Sequence, residues 1–115
     1  MTDPMAYVET EGRGDLAIAH VVGEVDLSNV EEIAKALDSE TADRARRHVV
    51  DLTRTTYFDS AGVRMLFALA TRLRSRKQEL IVVAPPSGVV RRIIDLTDVT
   101  QVCPVYESLD QIPAG

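Results

Sequence analysis

The stretch Phe58-Asp59-Ser60-Ala61-Gly62 places an aspartate, a serine and a glycine where a run of apolar residues changes its period. A hydroxyl at such a junction can cap a helix, attack a substrate or receive a phosphate. Attack requires a base. Only two histidines exist, His20 and His48, and both fall in predicted strands rather than at loop ends. His20 reads as a satisfied core histidine and His48 as the solvated start of a strand. The nucleophile-elbow pattern GxSxG is absent, as are GxxxxGK(S/T) and GxGxxG, so no cofactor cradle is expected. One cysteine, Cys103, and two isolated histidines give no metal-ligand spacing. The chain is expected to be no enzyme and to carry no metal or cofactor.

The carboxylates Asp26, Asp51 and Asp59 all fall near predicted strand ends, where sites of parallel sheets collect. A receiver-type phospho-acceptor aspartate would need an acidic pair after the first strand and a lysine after the fifth. This chain has Thr10 and Glu11 at the first place and no lysine beyond Lys77. A carrier-protein reading of Asp59-Ser60 would need an all-helical bundle and D-S-L, whereas a β-rich segment precedes this serine and Ala61 follows it.

Two readings of Ser60 remain. Asp59 or Ser60 can serve as an N-cap, accepting a backbone N–H. Alternatively, Ser60 is a phosphorylation site, exposed by the loop before the helix, with Gly62 leaving the backbone open to another active site. A phosphate adds about −1.5 to −2 charge. It would meet free amides and a favourable helix dipole while Asp59 repels it, so the local terms roughly offset. The effect of modification would then fall on whatever docks here. Met65 and Leu69 point off the apolar stripe of the following helix. They pack beneath neighbouring elements or, if exposed, extend an apolar docking patch beside Ser60. Asp26, Ser28 and Asn29 follow the second strand, and join Asp59-Ser60 if the second and third strands are neighbours.

The elements that must hold these residues follow from the patterning. At 115 residues, 45% hydrophobic and 27% charged, the chain makes one domain with a real core, ordered over about residues 5–112. Met5 to Thr10 and Leu16 to Val22 are strands joined through the turn Glu11 to Asp15. Ser28 and Glu31 fit a capping box that starts a helix carrying Val30, Ile33, Ala34 and Leu37. The polar run Asp38 to His48, with Arg44, Arg46 and Arg47, is the helix end and a connection. His48 to Leu52 is the third strand. A second helix carries Val63, Leu66, Phe67, Ala70 and Leu73, with Arg72, Arg74, Arg76 and Lys77 crowding its end. Leu80 to Ala84, a helix capped by Ser87, Val102 to Tyr106 and a short helix over Glu107 to Ile112 complete the chain. The fold class is α/β, a mixed, mostly parallel five-stranded sheet with about four helices.

Composition narrows the partners. A net charge of −5 argues against a nucleic-acid or anionic-membrane surface and favours a protein partner with basic patches. The start of the chain lacks the pattern of a signal peptide, no apolar run approaches membrane-spanning length, and a lone cysteine suits a reducing compartment. A cytoplasmic location is expected.

Gly23-Glu24-Val25-Asp26, then Val50-Asp51-Leu52-Thr53 leading to Phe58-Asp59-Ser60-Ala61-Gly62-Val63, resembles the STAS domain family, specifically its stand-alone bacterial anti-sigma factor antagonists. The likeness spans nearly the whole chain and includes Val90-x-x-Ile93-Ile94-Asp95-Leu96. It implies a partner switch. The unphosphorylated antagonist binds an anti-sigma factor, an ATP-binding serine kinase, and frees a sigma factor. Phosphorylation of Ser60 weakens docking, and a serine phosphatase resets the cycle. The resemblance implies that Asp26 and Asp59 border the docking surface and that Gly62 permits close approach. Together with the residues placed beside them above, the expected docking set is Asp26, Ser28, Asn29, Asp59, Ser60, Ala61, Gly62, Met65 and Leu69. Ala61, Thr55, Asp98 and Gln78-Glu79 depart from the family pattern. An alternative within the family is a docking subunit of a larger transport or stress-sensing complex in which Ser60 carries no phosphate.

Overall fold

The computed structural model describes residues 5–41 and 45–114. Strand β1 (Ala6–Arg13) and strand β2 (Leu16–Val25) form an antiparallel hairpin. The expected five-residue turn is only Gly14-Asp15, because Arg13 still pairs with Leu16. Gly14 adopts φ 58°, the left-handed conformation that closes so tight a turn. Helix α1 (Val30–Thr41) crosses over to strand β3 (Arg47–Asp51), which runs parallel to β2. Strand β4 (Thr55–Phe58) then lies parallel to the last residues of β2. Helix α2 (Ser60–Ser75), strand β5 (Glu79–Val83), the short helices α3 (Val89–Asp95) and α4 (Val99–Val102), strand β6 (Val105–Tyr106) and a 3₁₀ turn at Leu109–Gln111 complete the order. The main path of the sheet is β1-β2-β3-β5-β6, with β4 beside β2.

The alternation read in the strands sorts two cores. Ala19, Val21, Val50, Leu80 and Val82 join the main core with the helices. Ile18, Val49, Ile81 and Val83 face the other way, beneath Leu16, Tyr106, Leu109 and Ile112. Both faces of β2 are therefore covered, one by helices and one by the chain's last turn. Arg47 fastens that end: Nε and Nη2 donate to the Asp15 carboxylate at 2.8 and 2.9 Å, and Nη1 donates to the Pro113 carbonyl at 2.7 Å. The paired guanidinium holds the Asp15 carboxyl below the ordinary carboxylate range.

Several expectations change. β4 went unread because its four residues show no alternation: Thr55 and Phe58 are buried, Thr56 and Tyr57 exposed. The Thr55 hydroxyl tolerates burial by donating to the Val21 carbonyl at 2.7 Å. His48 is buried at 3% exposure, with Gln78 Nε2 3.1 Å from its Nε2, and is no solvated strand start. Ser87 does not cap α3; the N-cap is Gly88, at φ 104° and without a side-chain cap bond. The predicted fifth strand shortens to Val105–Tyr106, its first residue Val102 belonging to α4 and Cys103-Pro104 to the link between them, and the predicted last helix is the 3₁₀ turn. Arg44, in the predicted connection after α1, lies outside the described residues.

Candidate docking and modification site

Val25 and Phe58 are paired at the ends of β2 and β4. Two parallel chains thus leave the sheet side by side, and each continues with an aspartate, Asp26 and Asp59. Gly23 makes this possible. It sits at φ 106° beside a register shift, and a Cβ there would lie 2.1 Å from the Met5 carbonyl oxygen. Only glycine lets β1 lie against the bulge.

Beyond Val25 the chain folds into a turn bound by its own side chains. The Asp26 carboxylate accepts from the Ser28 amide at 2.8 Å and from the Ser28 hydroxyl, while Asn29 Oδ1 accepts from the Asp26 amide at 3.0 Å and Asn29 Nδ2 donates to the Glu24 carbonyl at 2.7 Å. Ser28 is therefore spent on Asp26, and the expected capping box with Glu31 gives way to this turn. The Ser28 hydroxyl, and then its amide, hold the Asp26 carboxyl below the ordinary range.

Beyond Phe58, Asp59 is the N-cap of α2. It is extended at φ −111°, and its Oδ1 accepts from the amides of Ala61 at 2.9 Å and Gly62 at 3.4 Å. Between the two capping alternatives the structure selects Asp59, leaving Ser60 as an exposed first residue of the helix. Glu24, Asp26, Leu27, Ser28, Tyr57 and Asp59 line a shallow depression at this corner. Its charges are all negative. Its apolar members were not foreseen: Leu27 is 73% exposed and Tyr57 42% exposed. A leucine inside the polar run Glu24 to Asn29 was the available signal.

Four residues expected at a docking surface are buried. Ala61, Met65 and Leu69 are 5%, 6% and 1% exposed, and Gly62 is also buried. Met65 and Leu69 lie off one apolar stripe, but α2 is covered on two sides, by the sheet and by α1, so a second stripe is core as well. Gly62 faces inward. A Cβ on it would lie 2.6–2.8 Å from three ring carbons of Phe58, so this glycine makes room for a core ring and opens nothing to a visitor. The amides expected to be free for a phosphate are already occupied by Asp59.

The groups that hydrolytic chemistry would need are engaged elsewhere. His20 Nδ1 lies 2.7 Å from Asp51 Oδ2, and its Nε2 lies 2.9 Å from Glu11 Oε1. Asp51 Oδ1 also accepts from the amide and hydroxyl of Thr53 at 3.0 and 2.6 Å. Both groups tie β1, β2 and β3 together. His20 stands five residues before Val25, roughly 16 Å along the strand. Cys103 is buried, and burial pushes its thiol up to about 11. Among the described residues no group of three or more His, Cys, Asp or Glu side chains is arranged for a metal, and no helix is long and apolar enough to cross a membrane.

Comparison with known proteins agrees with this architecture. A family model described as the STAS domain matches residues 7–112. BtrV of Bordetella bronchiseptica, named as an anti-sigma factor antagonist, is 30% identical over 100 residues, covering 87% of this chain and 85% of its own. The crystal structure of an anti-sigma factor antagonist from Mycobacterium paratuberculosis superposes with a TM-score of 0.83 at 27% identity, over 96% of this chain and 93% of that one. SpoIIAA of Bacillus shares the fold in both forms. Its unphosphorylated structure gives a TM-score of 0.71 and its phosphorylated structure 0.64, each at 17% identity and over 90% of this chain, covering 91% and 95% of those chains.

Proposed function

The chain belongs to the STAS domain family, and from that premise we propose that it is an anti-sigma factor antagonist switched by phosphate on Ser60. The observation that carries this reading is the exposed Ser60 hydroxyl at the start of α2, beside a depression with exposed Leu27 and Tyr57 and three carboxylates. The unmodified corner docks an anti-sigma factor, a serine kinase. Leu27 and Tyr57 supply apolar contact, and Glu24, Asp26 and Asp59 attract basic groups of the partner. The relatives that bear the antagonist name support this role.

Phosphate acts on this interface through solvation. A dianion at Ser60 would have to be buried between the two surfaces, and an ion taken from water without a full set of partners costs several kcal/mol. It also adds to the negative charge of Asp26 and Asp59. Docking weakens while the domain stays folded, and a serine phosphatase restores the binding form. Both histidines are engaged by other residues, His20 by Asp51 and Glu11 and His48 by Gln78, and in this cycle the chain acts as the substrate rather than the catalyst.

Incubation with cognate kinase and ATP followed by mass spectrometry tests the assignment, with one phosphate expected on Ser60. Ser60→Ala should fold and keep partner affinity, whereas Ser60→Asp should fold and bind at least tenfold more weakly. Equal affinities would reject the charge switch and favour a docking subunit that works without phosphate. Modification at Thr53, Thr55 or Thr56 instead would reject the site.

A further inference from the structure

We infer that a phosphate on Ser60 is held by Arg64 and excluded from the helix amides by Asp59, an assignment that rests on the phosphorylation reading above. An anion at the start of a helix ordinarily takes the free N–H groups there. At α2 those of Ala61 and Gly62 already donate to Asp59 Oδ1, and the Val63 amide donates to the Asp59 carbonyl at 3.2 Å. Ala61 and Gly62 are themselves buried, so the phosphate cannot approach these amides without evicting the Asp59 carboxylate. It is left on the outer side of the helix, next to a like charge.

One cation waits on that side. Arg64 stands four residues after Ser60, one helical turn on, and both residues are exposed. Side chains at this spacing lie one above the other, and an anion placed N-terminal to a cation is the favourable order. Arg64 enters none of the ion pairs or side-chain hydrogen bonds among the described residues, whereas Arg72, two turns further along the same groove, is engaged by Asp38 at 2.7 Å. Glu31 on α1 lines the groove with Arg64 but forms no ion pair with it. The guanidinium thus has five donors and no fixed acceptor until a phosphate arrives. Glu31 is the acidic residue that lines the groove with it, and Asp59 is the negative neighbour of Ser60 at the helix start.

Phosphoserine installed at position 60 during synthesis tests this without any kinase, so the outcome stands apart from whether Ser60 is modified in the cell. The second ionisation of the phosphate, followed by ³¹P NMR, should fall about 0.3 pH units lower in the wild-type background than in Arg64→Gln. Arg64→Lys should keep part of that difference. The amide protons of Ala61 and Gly62 should move little on phosphorylation. Equal titrations in the wild-type and Arg64→Gln backgrounds would overturn the Arg64 contact. Large downfield shifts of the two amides would show instead that the phosphate displaces Asp59.

Discussion

Gly62→Ala separates two roles for one glycine. If Gly62 served only close approach by a partner, alanine would leave the fold intact or improve it, because alanine gains up to about 1 kcal/mol over glycine within a helix. The structure demands the opposite. The new methyl carbon would stand 2.6, 2.7 and 2.8 Å from Cζ, Cε2 and Cε1 of Phe58. Carbon atoms sit comfortably at about 3.5–4.0 Å, so at least about 0.7 Å must be found at three atoms at once. Phe58 is 1% exposed, and its ring has no solvent to swing into. Overpacking of this kind costs about 1–3 kcal/mol. With three ring atoms met at once the upper part, about 2–3 kcal/mol, applies, and subtracting the propensity gain of about 1 kcal/mol leaves about 1–2 kcal/mol of net destabilisation. For a domain of this size the melting temperature should fall by roughly 5–10 °C, read by circular dichroism or calorimetry. Phe58→Leu removes the outer ring atoms, so Gly62→Ala should cost at least about 1 kcal/mol less in that background. A Gly62→Ala protein that melts at or above the wild-type temperature would refute the packing argument.

Other substitutions report on the rest of the corner. Gly23→Ala should be harsher than Gly62→Ala, since its Cβ meets the Met5 carbonyl, a backbone atom, at φ 106°; the melting temperature should drop by more than about 10 °C. Leu69→Ala should cost about 2–5 kcal/mol in urea unfolding because the side chain is core. Leu27→Glu should leave stability within about 0.5 kcal/mol and reduce affinity for the anti-sigma factor at least tenfold. Acid should weaken the turn before α1. The Asp26 carboxyl is lowered in the folded state, so its stabilisation is complete above the unfolded carboxylate value near 3.9 and is lost as pH falls through the lower folded value. Urea midpoints measured down through that window should fall less steeply for Asp26→Asn than for the wild type.

The periodic parts of the sequence carried most of the fold. Strand β2 alternates, the α2 stripe repeats at 3.6 residues, and the basic end of α2 announces its own dipole; each signal is local. What escaped was set by neighbours. β4 is ordered by pairing with β2 and by one buried hydroxyl, neither of which leaves a period in Thr55–Phe58. His48 looks polar and wet after Arg47 because nothing near it in sequence shows that Gln78 will cover it. Ser60 and Asp59 were legible at the helix start because capping is local chemistry. Whether Met65 and Leu69 pack or dock stays open in the sequence, because their burial depends on where α1 lies, a tertiary fact. Ser28 matched a capping box in spacing, yet Asp26, two residues earlier, offered its hydroxyl a nearer acceptor.

The sealed sulfur of Cys103 makes the chain a convenient reporter of its own encounters. With the native thiol enclosed and held in its unreactive form at neutral pH, a Ser60→Cys variant would present one reactive sulfur, standing where a visitor is proposed to land. A dye or a bulky maleimide attached there would label a single spot without prior removal of the native cysteine. The rate of that labelling, slowed by whatever covers the corner, would follow occupancy in real time.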